Sequence, residues 1–185
     1  MSHGVCPHWV GYFLVSPLRR LFHNPEKILQ PFVNPGMTVL DVGCAMGWFT
    51  IPLARMVGHQ GKVVAVDVQE KMLRSLAKRA RKAEVGERIV PRACTATSLE
   101  VPEFEGIVDF AVAFAVVHEV SDAGLLFQNI ARALKPGGRC LVAEPKGHVR
   151  IEEFQRSLSM AEKAGLYVLD TPKVAGSHAA LLRKG

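Results

Sequence analysis

Two carboxylates and a turn of small residues are the part of this sequence best suited to bind a ligand. Asp41 follows the apolar pair Val39–Leu40, and Asp67 ends a second apolar run. Between them lies a small-residue turn, Gly43, Ala45 and Gly47, followed by a helix expected to begin near Trp48. Carboxyl ends of parallel strands face one crevice, and a helix start offers free N–H groups. Two carboxylates there suit a ligand with an ammonium group and a ribose diol better than a pyrophosphate.

The spacing of the turn argues against a dinucleotide site. The dinucleotide pattern G-x-G-x-x-G, counted from Gly43, requires glycine where this chain has Ala45 and Trp48. The third glycine of that pattern lets helix and strand pack closely, and an indole does not fit there. A tight strand-to-helix turn without any ligand, in an ordinary α/β protein, remains the alternative from the residues alone.

The order strand, Asp-x-Gly-x-Ala-x-Gly, helix resembles motif I of the class I S-adenosylmethionine-dependent methyltransferases. Asp67 resembles the acidic residue that follows their second strand, and the segment ALKPGGRCLVAE (133–144) is similar to their helix–turn–strand. The resemblance covers roughly residues 36–185. It implies an α/β fold: a doubly wound, mostly parallel seven-stranded sheet with a C-terminal antiparallel hairpin and helices on both faces. Residues 1–35 would form an N-terminal lid, or a helix packed on the sheet edge, and 36–185 the Rossmann-like domain.

Apolar periodicity and turn residues give the elements that must position the site. We expect strands near 39–41, 62–67, 88–92, 107–113, 139–143, 166–170 and 177–183, with helices in the connections. Asp122 is a predicted N-cap, and Lys135–Gly138 a sharp stop before the fifth strand. The short link between the last two strands makes them antiparallel.

The resemblance implies S-adenosylmethionine as cofactor and S-adenosylhomocysteine as product. Asp41 would orient the site near the methionine ammonium, directly or through water, and Asp67 would bind the ribose hydroxyls. Val68 would pack on adenine, and Phe114 would lie beside the methionine end. Further cofactor contacts fall on the turn and on the segment after the third strand: Gly43, Cys44, Ala45, Gly47, Trp48, Thr95 and Ala96.

Thr95 is a departure from the family pattern. It stands where these enzymes often have an aspartate that accepts a hydrogen bond from the adenine amino group. A hydroxyl accepts such a bond more weakly than a carboxylate. Backbone groups at Thr95 and Ala96 are the expected substitute.

His118 is the candidate catalytic residue, because the segment after the fourth strand resembles the H-x-V pattern of small-molecule methyltransferases. It would take a proton from the acceptor; a structural role beneath the pocket is the alternative. The predicted substrate pocket contains Trp9, Tyr12, Phe13, Glu119 and Glu144. Glu144 has a second interpretation, as a carboxylate that accepts backbone N–H bonds or faces water. Methyl transfer depends mainly on aligning the nucleophile, the methyl group and the sulfur, so no Ser–His–Asp triad or pair of catalytic carboxylates is needed.

The sequence indicates the class of methyl acceptor less directly than it indicates the cofactor. We expect a small molecule, since the segment after the fourth strand lacks the N/D-P-P-Y/F pattern of exocyclic-amine methylation. The net charge of +6 permits an RNA substrate, which we do not favour. A third hypothesis is a protein that binds S-adenosylmethionine without turnover. The spacing of His3, Cys6 and His8 fits no zinc pattern, so we predict no metal.

Length and composition indicate one ordinary globular domain. The 185 residues suffice for a full core, and the 4 cysteines have no disulfide or C-x-x-C spacing, which favours reduced thiols. No signal peptide or membrane-spanning run is apparent. We therefore expect a cytoplasmic protein without membrane insertion, and the sequence leaves the oligomeric state open.

Overall fold

The computed structural model describes residues 24–185, which form an α/β fold around one seven-stranded sheet in the order β3-β2-β1-β4-β5-β7-β6. The strands are β1 (Thr38–Val42), β2 (Lys62–Asp67), β3 (Ile89–Ala93), β4 (Val108–Phe114), β5 (Leu134–Pro145), β6 (Leu166–Asp170) and β7 (Ser177–Lys184). The α-helices of this part are α1 (Pro25–Leu29), α2 (Thr50–Met56), α3 (Glu70–Lys82), α4 (Ala123–Ala133) and α5 (Ile151–Lys163). The expected sheet and its elements are confirmed.

The strand order creates a crevice at the middle of the sheet. β1 pairs in parallel with both β2 and β4, so the connections leave β1 in opposite directions. Ligands of open α/β sheets bind outside the carboxyl ends of the strands at such a reversal point. β7 pairs antiparallel with both β5 and β6, which gives the C-terminal hairpin. Within that hairpin, β7 follows β6 in sequence but lies between β5 and β6.

Each face of the sheet carries its own hydrophobic core. On one face Leu40 and Val142 pack with Phe127 and Phe154 of α4 and α5. The other face is covered by α2, α3 and the segment 24–33, whose Phe32 ring stacks on Phe110 with centroids 5.8 Å apart. Central strands buried on both faces explain the continuous apolar runs in the sequence. The described part of the predicted lid is thus packed against the sheet, and residues 1–23 lie outside the described part.

Two boundaries differ from the sequence expectations. The first α-helix after β1 begins at Thr50 and not near Trp48, because residues 45–49 form turns that bury Trp48 and Phe49. β5 begins at Leu134, since the predicted stop at Lys135–Gly138 is a bulge within the strand: its register with β4 jumps from Val108–Leu134 to Phe110–Arg139. The predicted cap is confirmed, with Asp122 accepting a bond from the Leu125 N–H at 2.9 Å.

Asp109 interrupts the apolar run of β4 for a structural reason. Its Oδ2 accepts a hydrogen bond from the Thr38 N–H at 2.8 Å, and its Oδ1 accepts one from Lys135 Nζ. The carboxylate therefore connects the start of β1 to the bulge in β5, at the sheet edge opposite the crevice.

Replacing Asp109 by alanine should destabilise the protein by about 1–3 kcal/mol, because the Thr38 amide loses its acceptor. The matched variant Lys135→Met removes only a half-exposed cation and should cost less than about 1 kcal/mol. Urea unfolding of both variants measures the difference. Equal losses would show that the ion pair, and not the backbone bond, carries the contribution of Asp109.

Candidate functional site

Among residues 24–185, three carboxylates are buried: Asp41, Asp67 and Glu144. They end or nearly end β1, β2 and β5, so all three lie at the carboxyl edge of the parallel strands. A buried charge is costly unless hydrogen-bond donors surround it. The partners of each carboxylate therefore define what this edge can do.

Asp41 lies beneath the small-residue turn and is only 3% exposed. The Thr50 hydroxyl, in the first turn of α2, donates to Asp41 Oδ2 at 2.5 Å. Burial raises the pKa of Asp41 to about 7, the Thr50 bond opposes this, and Asp67 adds a smaller rise. The sequence analysis missed Thr50; its hydroxyl at a helix start nine positions after Asp41 was the only available signal.

Asp67 anchors the turn to β2 through both carboxylate oxygens. Its Oδ2 accepts from the Ala45 N–H at 2.9 Å, and its Oδ1 accepts from the Gln69 N–H at 2.8 Å. Burial raises the pKa of Asp67, while these two backbone bonds lower it. Each oxygen keeps a further lone pair for a ligand hydroxyl. The next residue, Val68, is 47% exposed, an apolar surface directly beside the carboxylate.

The glycines of the turn are explained by packing and by backbone conformation. Gly43 has φ +71°, and a Cβ there would lie 2.7 Å from Val116 Cγ2. Gly47 has φ +87°, and its Cβ would meet Leu76 Cδ1 at 2.5 Å. Ala45 also has a positive φ, of 46°. Packing against neighbouring side chains is therefore enough to explain why Gly43 and Gly47 have no side chain. A cofactor role for Gly43 and Gly47 stays a prediction.

Cys44 and Trp48 bury their side chains in the core beneath the turn. The Gly43 and Cys44 N–H groups both donate to the Val66 carbonyl at 3.0 Å, which holds the turn on β2. Burial raises the pKa of the Cys44 thiol well above its usual range. Any contact of these two residues with a cofactor would therefore involve mainly backbone atoms.

Thr95 is exposed, and its hydroxyl accepts hydrogen bonds from backbone groups of its own loop. Its hydroxyl accepts from the Ser98 N–H at 3.0 Å and from the Thr97 N–H at 3.3 Å. The Cys94 N–H donates to the Asp67 carbonyl, so this loop begins beside the acidic residue. Ala96 is also exposed. The structure brings Thr95 and Ala96 to the crevice edge, and adenine recognition by them stays a prediction.

Phe114 ends β4 at the same edge and is half-buried. Its ring packs on Phe49 with centroids 4.6 Å apart. The next residue, Ala115, has a positive φ of 56°, which turns the chain sharply out of the sheet. The segment that follows contains the candidate catalytic residue.

His118 and Glu144 form a pair in which the carboxylate is the buried partner. Glu144 is 1% exposed, and its Oε2 bonds to His118 Nδ1. Its Oε1 accepts from the Val116 N–H at 3.0 Å and from the Val117 N–H at 2.9 Å. His118 is the more exposed member of the pair, at 28% against 1% for the Glu144 side chain, and a place for Glu144 in a substrate pocket stays a prediction. The alternative interpretation, a carboxylate that accepts backbone bonds, describes it correctly.

Glu119 and His148 lie next to this pair. Burial raises the pKa of half-buried Glu119, and the neighbouring His118 partly offsets the rise. The His148 ring is stacked against His118, with centroids 6.0 Å apart. His148 follows β5 in the chain, and no signal in the sequence associated it with His118. Trp9, Tyr12 and Phe13, the other predicted pocket residues, lie outside the described part of the chain.

Residues 24–185 contain neither a candidate metal site nor a candidate membrane-spanning helix. No group of three or more histidine, cysteine, aspartate or glutamate side chains there is arranged to hold a metal ion. No helix in this part of the chain has the length and apolarity needed to cross a membrane.

The fold places three buried carboxylates at the carboxyl edge of its parallel strands, and comparison with known proteins gives the class of the chain. The family described as "Methyltransferase domain" matches residues 33–173. The chain belongs to this family, the class I Rossmann-like S-adenosylmethionine-dependent methyltransferases, and S-adenosylmethionine is the family's cofactor.

Individual relatives agree with this assignment. The chain is 34% identical to a ubiquinone biosynthesis O-methyltransferase of Caulobacter vibrioides, over 72% of this chain and 48% of the relative. It is 33% identical to a demethylmenaquinone methyltransferase of Bacillus cereus, over 60% of this chain and 46% of the relative. The chain thus spans about half the length of these curated relatives. A methyltransferase structure from Aquifex aeolicus superimposes with a TM-score of 0.88 and 26% identity, covering 98% of this chain and 100% of that one.

Asp41→Asn should make stability less dependent on pH. A carboxyl whose pKa rises on folding, here from 3.8 to about 7, loses stability as the pH increases through that interval. The asparagine oxygen still accepts the Thr50 bond but does not titrate. Relative to the parent, the variant should gain about 2–3 kcal/mol between pH 5 and pH 8. Urea unfolding at both pH values measures this gain, and a constant difference would contradict it.

Gly43→Ala should destabilise the protein more than Gly58→Ala. Both glycines have a positive φ, of 71° and 67°, but only the Gly43 position faces a side chain within 4 Å. The shared conformational cost is about 1–2 kcal/mol, and the Val116 clash adds about 1–3 kcal/mol. Thermal or urea unfolding compares the two variants. Equal losses would show that Val116 moves aside freely.

Proposed function

We propose that this chain transfers the methyl group of S-adenosylmethionine to a small-molecule acceptor by in-line displacement. The observation that carries the proposal is Asp67, a nearly buried carboxylate held at the end of β2 by the Ala45 and Gln69 amides. Its fixed position beside the turn suits the paired hydroxyls of a ribose, and the exposed Val68 beside it suits a purine face.

The residues of the crevice fit this cofactor. Asp67 would hold the ribose hydroxyls, Val68 would pack on the adenine, and Phe114 would border the methionine end. Asp41 would act on the methionine ammonium through the turn, since its carboxylate lies beneath the turn and is bonded to Thr50. Bound S-adenosylmethionine supplies an activated methyl group on a sulfonium. The protein contributes alignment and exclusion of water, which can account for about 7–11 kcal/mol of a barrier.

The small-molecule acceptor has two supports. The relatives named above act, by their names, in ubiquinone biosynthesis and on demethylmenaquinone. The chain leaves β4 as Phe114-Ala115-Val116-Val117, without the proline pair associated with amine methylation of nucleic acids. His118, at the end of this segment, would accept a proton from the acceptor. The protein would carry out this reaction in the cytoplasm.

Asp67→Ala should weaken S-adenosylmethionine binding by roughly 10²- to 10⁴-fold, because each of two hydrogen bonds to a charged group contributes about 1.5–3 kcal/mol. Isothermal titration calorimetry with S-adenosylmethionine, and with NAD in parallel, measures this. The parent protein should bind the first and not the second. Glu70→Ala is the matched control, since it removes an exposed carboxylate three positions on, which is paired with Arg74 in the same helix.

Thermal unfolding of Asp67→Ala accompanies the titration, because the variant also loses two backbone anchors. An unchanged affinity in a folded variant would rule out Asp67 as the ribose ligand. Incubation with methyl-labelled cofactor, against a metabolite extract and against total RNA, tests the acceptor. Label should enter small molecules. Label in RNA would contradict the proposed acceptor class, and no transfer at all would indicate a binding protein without turnover.

A further inference from the structure

The Glu144 carboxylate has more partners than any other buried acid in the described part of the chain. One oxygen accepts the Val116 and Val117 N–H groups, and the other bonds to His118 Nδ1. We propose that Glu144 is the positioning residue that makes His118 Nε2 the proton acceptor for a hydroxyl substrate. This inference rests on the proposed methyl transfer and names the acceptor group as an O–H.

The hydrogen bond fixes which nitrogen of His118 carries the proton. An ionised carboxylate can only accept, so the neutral imidazole must donate its single N–H from Nδ1 to Glu144. Nε2 is then left with a free lone pair. Because the His118 side chain is 28% exposed while that of Glu144 is 1% exposed, the imidazole lies between the buried charge and solvent. The same logic, with a buried carboxylate orienting an imidazole, operates in serine hydrolases.

The two backbone bonds place the same segment against the cofactor turn. Val116, whose amide is held by Glu144, fills the space left by Gly43, with its Cγ2 at 2.7 Å from a Cβ built there. Ala115 holds its positive φ while its N–H donates to the Ala143 carbonyl at 2.7 Å, one residue before Glu144. Glu144 therefore fixes both the proton state of His118 and the distance of its segment from the small-residue turn.

Opposing influences act on the pKa of His118. The Glu144 hydrogen bond raises the pKa of His118, partial burial lowers it, and the charges of Glu144 and Glu119 raise it further. Among residues 24–185, His148 is stacked on the His118 ring, and His178 lies opposite Glu144 on β7. The neutral, proton-accepting form of His118 should therefore gain population as the pH rises above the usual histidine value.

The reaction balances without another reagent. The acceptor oxygen forms a bond to the methyl carbon as the carbon–sulfur bond breaks, and that electron pair goes to sulfur. The sulfonium becomes a neutral thioether. The hydroxyl proton passes to His118 Nε2 and from there to water. A phenolic or other weakly acidic hydroxyl fits this chemistry, because its proton must leave for the oxygen to become a good nucleophile.

The Glu144→Gln variant removes the carboxylate charge while keeping the size of the side chain. The glutamine oxygen can still accept the Val116 and Val117 amides, but its NH₂ must donate to His118 Nδ1. The imidazole proton then moves to Nε2, and the base is lost in a folded protein. Glu119→Gln is the matched control for the tautomer measurement alone, since it replaces a carboxylate beside His118 without touching the Nδ1 bond.

The first measurement is ¹⁵N–¹H NMR of the histidine side chains, with His118 assigned from a His118→Gln variant. The parent and Glu119→Gln should show the Nδ1–H tautomer, and Glu144→Gln the Nε2–H tautomer with a lower His118 pKa. An Nε2–H tautomer in the parent, or an unchanged one in Glu144→Gln, overturns the inference. This arm needs neither cofactor nor turnover, so it stands apart from the proposed function.

The second measurement is methylation of catechol and 4-nitrophenol as hydroxyl probes. Glu144→Gln should lower kcat for catechol by roughly 10²- to 10⁴-fold with the KM for S-adenosylmethionine unchanged. The loss should be much smaller for 4-nitrophenol, which is largely ionised above neutral pH. Equal losses on both probes, or an unchanged kcat, overturn the positioning role. A parent protein that methylates neither probe contradicts the hydroxyl class, whatever tautomer the NMR shows.

Discussion

Negative charge that is removed from water is the constraint on which this site depends. In the described part of the chain, Asp41, Asp67 and Glu144 are the buried carboxylates, and all lie where parallel strands end. Burial of such groups is tolerated only when donors replace the lost water. The chain meets this demand with backbone amides, a hydroxyl and an imidazole, and meeting it determines the path of every segment around the crevice.

Each carboxylate organises a different segment. Asp67 holds the small-residue turn, Asp41 holds the first turn of α2, and Glu144 holds the exit from β4. Two of these segments contain alanines with a positive φ, Ala45 and Ala115, a conformation that costs about 1–2 kcal/mol for a residue with a side chain. The hydrogen bonds beside them offset that strain. Strained backbone thus occurs at two sharp turns of the crevice, and in the described residues also at Glu84 and Glu100, outside the strands.

The sequence predicts the parts of this protein that rest on local pattern. The small-residue turn and the position of Asp67 are predictable from apolar runs and from motif spacing, and the sheet architecture followed from the family resemblance. The Thr50 bond, the stacking of His148 on His118 and the pairing of Glu144 with His118 are not, because they join residues brought together only by the sheet. Glu144 and His118 are 26 positions apart, on neighbouring strand ends. The boundary at Trp48 failed because helical spacing extends into residues that are used instead for the buried turn.

The insertion of β7 between β5 and β6 has a consequence for the order of assembly. β6 pairs only with β7 in the described sheet, so it cannot join before the strand that follows it has been synthesised. Until then β5 presents an open edge, and Glu144 lacks its neighbour His178. On a ribosome, the five parallel strands β1 to β5 can therefore pair before the hairpin that completes the sheet is available.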